Sequence, residues 1–353
     1  MNEVQLNPAE LAAKISQKKV FDAIEVGKSF RLEAGAGAGK TYSLVQSLKA
    51  LIKERGKELL RTNRQIACIT YTNVAKDEIK SRTDNHPVVY SDTIHAFCWH
   101  LIKDFQKILI GLISELGEKW VKRLEESEGP GNRRVVYELG FPKIRDDEIQ
   151  LHHDDVIKLM TLLLKEPKFK FILKNKFPII FIDEYQDTNR NLALSIIENL
   201  VEADVDILVG FFGDHWQKIY GSNSIGLISS EKLEVIGKEA NFRSERAIVE
   251  ALNKMRPNLT QNVADPNSLG QINVFHTNDW QGERRTGGHW EGDLPSEIAH
   301  DYLERVKREL VDKGWTISQG DTKILMLTHS VLAEEQGLMY EIKMKKGPAK
   351  VVT

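Results

Sequence analysis

The sequence predicts an α/β fold built on a parallel sheet, and two short stretches carry this prediction. Residues 32–48, LEAGAGAGKTYSLVQSL, place a glycine-rich loop directly before a segment whose apolar residues have helical spacing. Residues 178–192, PIIFIDEYQDTNRNL, place a continuous apolar run directly before two acids. Such a run is typical of a central parallel strand that is covered on both faces.

Composition limits the class of protein. The 353 residues are 41% hydrophobic and 28% charged, which is typical of a soluble globular protein of about two to three domains. No apolar run approaches the ~20 residues of a membrane span, and the first residues, MNEVQLNPAELAAK, lack the pattern of a secretory signal. We therefore expect a cytoplasmic protein. Cys68 and Cys98 lie in apolar surroundings without metal-ligand spacing, which predicts buried free thiols. The net charge of −2 excludes a globally basic surface but permits a local nucleic-acid groove.

The glycine-rich loop fits a phosphate site. It matches [AG]-x-x-x-x-G-K-[ST], and Ser29 to Glu33 alternates like a strand that enters it. Glycines let the backbone curl until successive N–H groups and the following helix N-terminus point at one anion. Lys40 is then placed to reach β- and γ-phosphates, and the Thr41 hydroxyl to bind Mg²⁺. A flexible Gly/Ala turn is the alternative. The predicted nucleotide-binding residues of the loop are Ala34, Gly35, Ala36, Gly37, Ala38, Gly39, Lys40 and Thr41.

The two acids complete this prediction. Asp183 and Glu184 follow the apolar run, at the carboxyl end of the predicted strand, which is the edge where doubly wound sheets bind ligands. Asp183 is placed to hold Mg²⁺ together with Thr41, and Glu184 to accept a proton from the attacking water. Ordinary capping of a helix N-terminus is the alternative for this pair.

Together the two motifs resemble those of the UvrD/Rep-like superfamily 1 DNA helicases and translocases. The resemblance implies Mg²⁺-dependent ATP hydrolysis between two RecA-like lobes, with single-stranded DNA as the partner. It covers most of residues 16–254, with a weaker echo at 321-DTKILMLTHSVLAEEQG-337. Four further stretches are similar to the family's motifs in the family's order: 66-IACITYTNVAKDEIKSR-82, 92-DTIHAFCWHLI-102, 207-ILVGFFGDHWQKIYG-221 and 241-NFRSERAIVEALNK-254.

Gln217 and Arg243 join Glu184 as catalytic candidates. Gln217 follows the apolar run 207–212, so it reaches another strand's carboxyl end, where an amide can contact a γ-phosphate or the attacking water. A surface glutamine in a loop is the alternative. In the family's pattern Arg243 belongs to the second lobe and reaches across the cleft as an arginine finger. Without the family, residues 241–244 are simply a helix N-cap.

Two aromatic residues are candidates for stacking on the base of the nucleotide. Tyr42 follows the loop directly, and Phe242 stands where the family usually has tyrosine. The family's adenine-reading glutamine has no clear counterpart. The aligned position falls near Lys19, and Gln17 lies two residues away.

The resemblance also implies contacts with single-stranded DNA through stacking and hydroxyl groups. One departure removes a usual aromatic residue and an arginine, because Ser222 and Asn223 stand in their place; Trp216 is a nearby candidate to replace the stacking. Each DNA-binding candidate has a structural alternative, such as Tyr71 packing in the core. The implied DNA-binding residues are Thr70, Tyr71, Thr72, Asn73, Thr93 and His95.

The motif positions predict a division of the chain. Residues 1–100 and 176–230 are expected to form the first RecA-like ATPase lobe, 101–175 a helical insertion with solvent-exposed His152 and His153, and 231–353 a partial second RecA-like lobe. In the last part we expect strands at 271–275 and 323–327 and a helix at 297–310. The second lobe is expected to be incomplete because the family's late motifs, H-x-x-K-G-L-E and V-A-x-T-R-A, are absent from the sequence.

Three functions fit these observations. The first is an ATP-driven DNA translocase or helicase motor. The second is a nucleotide-gated regulatory or interaction subunit of a larger complex, which Ser222, Asn223 and the absent late motifs favour. Short members of the family that this sequence resembles occur beside nucleases in bacterial anti-phage systems, so a nuclease is one candidate partner. The third, a P-loop kinase, gives no role to Gln217 or to the Gln-Asp-Thr that follows Tyr185.

Overall fold

Strands and helices alternate along the chain in the computed structural model, which describes residues 6–138, 140–219, 221–287, 291–317, 322, 323 and 325. The strands are β1 Phe30–Ala34, β2 Ile66–Thr70, β3 Val89–Thr93, β4 Arg134–Tyr137, β5 Lys143–Ile144, β6 Glu148–Leu151, β7 Ile179–Asp183, β8 Leu208–Gly213, β9 Glu234–Lys238, β10 Ala240–Asn241 and β11 Asn262–Val263. The helices are α1 Pro8–Glu25, α2 Lys40–Arg61, α3 Asn73–Arg82, α4 Ile94–Ile102, α5 Gln106–Leu112, α6 Glu118–Glu126, α7 His153–Leu163, α8 Pro167–Lys176, α9 Arg190–Ile196, α10 Arg246–Met255 and α11 Ser296–Asp312.

The main sheet has six strands in the order β3-β2-β7-β8-β1-β9, and every neighbouring pair is parallel. This confirms the predicted α/β class with a parallel sheet. Because all six strands run the same way, their carboxyl ends meet at one edge, with Thr70 opposite Thr93 and Asp183 opposite Phe212. Loops that leave this edge are therefore close together.

Strand β7 is buried on both faces, as its apolar run predicts. Ile180 and Ile182 pack into one core with α4 and the segment 101–175, whereas Ile179 and Phe181 pack into the other core with α2. Alternate residues of one strand thus serve two cores, which requires an apolar residue at each position. Cys68 and Cys98 are buried free thiols, as predicted.

The segment 101–175 is largely helical but also contains strands that the prediction missed. Helices α5, α6, α7 and most of α8 lie here. A second sheet, in the order β4-β6-β5, lies between α6 and α7. These strands have only two to four residues each, which is too short for a period-2 pattern to stand out from the surrounding charge.

The first sheet extends beyond residue 230, where we expected the first lobe to end. Strand β9 pairs with β1 along its whole length, Phe30 opposite Glu234 and Ala34 opposite Lys238. The chain divides instead into residues 1–271 and residues 272–353. No strand is predicted from the sequence at these residues, and it is the pairing with β1 that assigns β9 to the first sheet.

Of residues 272–353, the described parts contain helix α11 and no strand. Helix α11 confirms the helix expected at 297–310. The strand expected at 271–275 is wrong, because these residues have no strand pairing; the one expected at 323–327 lies mostly outside the described residues. None of the described helices has the length and hydrophobicity that crossing a bilayer requires.

Candidate functional site

The phosphate loop connects β1 to α2 and depends on its glycines. Gly37 and Gly39 have φ of 75° and 79°, in the left-handed region that favours glycine. A Cβ atom on Gly35 would lie 2.8 Å from the Gln261 side chain, and one on Gly37 would lie 2.6 Å from Asn241. Helix α2 begins at Lys40, so its N-terminus faces the loop. This is the arrangement that favours an anion.

A segment that follows the sheet holds the loop from outside. Asn241 Nδ2 and Gln261 Nε2 both donate to the carbonyl oxygen of Ala36, at 3.0 and 3.1 Å, and the Phe242 N–H donates to that of Gly37. These bonds place residues 240–261 on the same unit as the phosphate loop, within 1–271.

Arg243 therefore lies beside the phosphate loop and not in a separate second lobe, where the family's pattern had placed it. Its backbone N–H donates to Asn241 Oδ1 at 3.0 Å, and its side chain is exposed. Within the described parts of the chain, the Arg243 guanidinium makes no hydrogen bond or ion pair.

Three predicted residues meet at the carboxyl edge of the sheet. Lys40 Nζ lies 2.9 Å from Glu184 Oε2 and 3.4 Å from Gln217 Oε1. Lys40 comes from α2, Glu184 follows β7, and Gln217 ends a short 3-10 turn after β8. Glu184 has φ of 47°, an uncommon conformation for a residue with a side chain. The sheet topology thus brings together Lys40 and two predicted catalytic residues, Glu184 and Gln217.

Asp183 lies beside them at the end of β7 and is buried. Burial raises the pKa of Asp183 to about 7; the charge of Glu184 adds to the rise and that of Lys40 opposes it. Its Oδ1 atom is buried and, among the described residues, receives no hydrogen bond. A buried carboxylate oxygen without a partner fits a hard divalent cation such as Mg²⁺. Thr41, the other predicted ligand, is in the first turn of α2.

A cavity of about 600 Å³ opens beside the phosphate loop. Tyr42 and Phe242, the two predicted stacking residues, are 59% and 47% exposed and both line it. Gln17 of α1 lines it as well. Its Nε2 donates to Ser47 Oγ at 3.2 Å, while its buried Oε1 accepts no hydrogen bond from the described part of the chain. Of the two residues Gln17 and Lys19, Gln17 lines the cavity and Lys19 does not.

Lys238 also lines this cavity and was not predicted. It ends β9, and its Nζ donates to Ser43 Oγ at 2.7 Å and to the Gly39 carbonyl oxygen at 3.0 Å. The same Nζ lies 5.8 Å from the centre of the Tyr42 ring. Burial lowers the pKa of Lys238 to about 8. A lysine in a strand carries no periodic signal of such a contact, so the sequence alone does not reveal it.

The predicted DNA-binding residues lie at the ends of β2 and β3. Thr70 is buried and donates its hydroxyl to the Thr72 carbonyl oxygen at 3.0 Å, so it shapes the turn. Thr72 caps α3 through the Ala75 N–H, and exposed Asn73 begins that helix. Thr93 precedes α4. Tyr71 is 37% exposed, which does not agree with the alternative of full burial in the core.

A second cavity, of about 420 Å³, joins Tyr71 and His95 to the two substituted positions, Ser222 and Asn223. Of the described residues that line it, Asp154 and Asp187 are acidic and none is Lys or Arg. Trp216, considered as a replacement for the lost stacking, is 55% exposed, and the Arg256 guanidinium lies 5.8 Å from the centre of its ring.

His95 is joined to the segment 101–175 by ring stacking. Its ring lies 3.8 Å from that of His153, which is exposed as predicted. Burial is the main cause that lowers the pKa of His95 to about 4, and the charge of His153 adds to it. His95 is therefore neutral at physiological pH.

Fold and site define the class of protein. A family model described as "AAA domain" matches residues 17–223, more than half of the chain, so the chain belongs to that family. With its ordered motifs and its relatives, it is a superfamily 1 helicase-like protein.

Particular relatives are similar over part of their length. Gabija protein GajB from Bacillus cereus (strain HuB5-5) is 29% identical over 90% of this chain and 57% of that protein. ATP-dependent DNA helicase PcrA from Staphylococcus epidermidis is 27% identical over 63% of this chain and 37% of that protein. This chain thus spans less than two thirds of either relative. The crystal structure of Pif1 helicase from Candida albicans is 14% identical, with a TM-score of 0.32 over 63% of this chain and 39% of that one.

Proposed function

We propose that this protein is an ATP-dependent motor that moves on single-stranded DNA. The observation that carries the proposal is the meeting of Lys40 with Glu184 and Gln217 at the end of the phosphate loop. A lysine, a carboxylate and an amide at one sheet edge are the groups that phosphoryl transfer to water requires.

The proposed chemistry assigns one step to each group. Glu184 accepts a proton from the attacking water. The oxygen of that water forms a bond to the γ-phosphorus while the bond from the γ-phosphorus to the oxygen of the leaving β-phosphate breaks. Lys40 stabilises the negative charge on the phosphates, and Gln217 orients the water. Arg243, exposed beside the loop, is proposed to reach the γ-phosphate as the arginine finger. Mg²⁺, which Thr41 and Asp183 would hold, supplies neutralisation of phosphate charge when bound.

The cavity beside the loop is the proposed base site. Tyr42 and Phe242 present exposed rings for stacking. The Gln17 Oε1 atom is an acceptor that the exocyclic amine of adenine would satisfy. ATP is therefore the proposed nucleotide, in preference to nucleotides whose base has no exocyclic amine where adenine has one.

The DNA path is proposed to cross the ends of β2 and β3. Tyr71 offers a partly exposed ring on which a base can stack, with Asn73, Thr93 and His95 beside it. Thr72 uses its hydroxyl oxygen as a cap but keeps a proton to donate to a phosphate.

A second candidate function is a nucleotide-gated subunit that switches a protein partner, such as a nuclease. The observation that favours it is the second cavity, in which Ser222 and Asn223 replace an aromatic residue and an arginine, and in which the charged lining residues are acidic. An acidic lining repels DNA phosphates.

Turnover of ATP with and without single-stranded DNA separates the two. We expect the wild-type chain to hydrolyse ATP faster when DNA is added, and Lys40→Ala to remove both basal and stimulated turnover because binding itself is weakened. ATP turnover that does not change when DNA is added would contradict the DNA motor and favour the nucleotide-gated subunit. Failure to bind ATP would contradict both.

A further inference from the structure

The Asp214 carboxylate joins two parts of the protein that the sequence did not link. It follows β8 and is buried. Its Oδ2 accepts from Gln217 Nε2 at 2.6 Å, and its Oδ1 accepts from Arg256 Nη1 at 2.6 Å. The chain of contacts therefore runs from Arg256 through Asp214 to Gln217, and from the Gln217 Oε1 atom to Lys40.

This contact settles which way the Gln217 amide points. A carboxylate only accepts hydrogen bonds, so the amide must turn its N–H₂ group toward Asp214. The oxygen is then left on the side of Lys40, where it can accept a hydrogen bond from the attacking water. An amide that rotated by 180° would place donors there instead and would repel the lysine.

Arg256 in turn fixes Asp214. It follows the last residue of α10, and its side chain is 11% exposed. Its Nη2 lies 3.3 Å from Glu33 Oε2, so one guanidinium bridges two buried carboxylates at the ends of β8 and β1. Charge-assisted bonds of this geometry are strong and directional.

The same contacts favour an ion-pair network over a metal site at this point. Glu33, Asp214 and His215 come close enough to hold an ion. However, Arg31 and Arg256 already neutralise the two acids: Arg31 Nε lies 3.1 Å from Glu33, and His215 Nδ1 also lies 3.1 Å from it. The cluster is therefore an ion-pair network.

We propose that Arg256 is a positioning residue for ATP hydrolysis, acting through Asp214 on the Gln217 amide. The inference rests on the proposed hydrolytic function. Helix α10 follows directly on the segment that carries Arg243 and that holds the phosphate loop through Asn241. The segment 241–256 thus contacts the phosphate loop through its first residue, Asn241, and orients Gln217 through its last, Arg256. A shift of this segment would alter both contacts at once.

The test compares kcat and KM for ATP in purified variants of the full chain. Arg256→Met should lower kcat by roughly 10- to 100-fold, as misplacement of a group by about 1 Å can do, and should leave KM within about twofold because it touches no nucleotide-binding group. Lys254→Met, which removes a positive charge from an exposed position of the same helix, should leave kcat and KM unchanged.

The double variant distinguishes positioning from a general structural role. If Arg256 acts through Gln217, Arg256→Met combined with Gln217→Ala should be no slower than Gln217→Ala alone, because the two residues act as a unit. Losses that multiply would overturn the proposal, as would an unchanged kcat in folded Arg256→Met.

Arg256→Lys provides the test if Arg256→Met does not fold. Lysine keeps the charge but cannot bridge Asp214 and Glu33 with a planar fork. An intermediate kcat with unchanged KM is expected, and a wild-type kcat would overturn the positioning role. A wild-type chain without any turnover would instead contradict the proposed hydrolysis itself, and the role of Arg256 with it.

Discussion

Lys40 and Glu184 form an ion pair of 2.9 Å between the start of α2 and the end of β7. The proposed phosphate ligand and the proposed general base therefore neutralise each other. A γ-phosphate bound at the loop would compete with Glu184 for the lysine, and a Glu184 released from Lys40 would be free to accept a proton. The proposed nucleotide binding and the proposed activation of the base would thus be coupled through the Lys40 side chain.

The first prediction concerns the base. Glu184→Gln should lower ATP hydrolysis by ~10²-fold or more because the amide cannot accept the proton, while Mg²⁺–ATP binding stays nearly intact. Binding is measured by calorimetry and turnover by phosphate release. Glu125→Gln, at an exposed position of α6, is the control. Near-normal turnover of Glu184→Gln would assign the base elsewhere.

The second prediction concerns selectivity for the base of the nucleotide. Gln17→Ala should weaken ATP binding by up to roughly tenfold, the worth of one hydrogen bond, and should leave GTP binding little changed. The reason is that the Gln17 Oε1 atom would accept a bond from the adenine amine, which guanine lacks at that position. Equal losses for ATP and GTP would show that Gln17 supports the cavity wall only.

The third prediction concerns DNA. Tyr71→Ala should cost ~1–3 kcal/mol in single-strand affinity if its ring stacks on a base, equally for different sequences. Fluorescence anisotropy with labelled homopolymers measures this. Thermal unfolding of the same variant serves as the control, because a packing role would lower stability. A folded variant with wild-type affinity would remove Tyr71 from the DNA path.

The fourth prediction concerns pH and Lys238. Its pKa is about 8 in the folded protein and about 10.4 in an unfolded chain. Between these values the unfolded chain binds a proton that the folded protein has released, so this residue makes the free energy of unfolding rise with pH. Below pH 8 both states are protonated, and the folded state carries the full cost of burying the charge.

Lys238→Met should therefore remove this rise between pH 8 and 10, which denaturant unfolding at several pH values measures as the difference from wild type. Lys232→Met, at an exposed position beside Asp204, should keep the wild-type slope. Parallel pH profiles for wild type and Lys238→Met would show that Lys238 is not titrating in this window.

Most of the parallel sheet and the loop could be predicted because their causes are local. The loop needs glycines for its backbone conformation, and a strand that is covered on both faces needs consecutive apolar residues. Both features are visible within a few neighbouring residues of the sequence. The position of β9 could not be predicted in this way. Its membership of the sheet depends on pairing with β1, some 200 residues earlier in the chain.

The residues of the candidate site fall into the same two groups: those with a local signal in the sequence and those that depend on distant contacts. Lys40, Asp183 and Glu184 are marked by motifs, and the sheet brings them together. Arg256 contacts Asp214, and Lys238 contacts Gly39, so both bonds join distant segments of the chain. The residues next to Arg256 and Lys238 form no sequence motif that would predict these contacts. Such residues emerge only once the fold is known.

The last prediction concerns Arg243. Its guanidinium is exposed beside the phosphate loop, and its backbone is held by Asn241, which also bonds the loop carbonyl of Ala36. The backbone is thus fixed while the side chain is free to turn toward a bound γ-phosphate. Because an arginine finger contributes ~10³–10⁵ in rate, Arg243→Ala should reduce kcat severely while ATP affinity changes little.

Arg246→Ala, three residues further on and bound to the Pro266 carbonyl oxygen, is the matched control and should retain wild-type turnover. Steady-state hydrolysis with and without single-stranded DNA measures both. If Arg246→Ala loses turnover and Arg243→Ala does not, Arg246 would be the finger and Arg243 a residue of the helix cap.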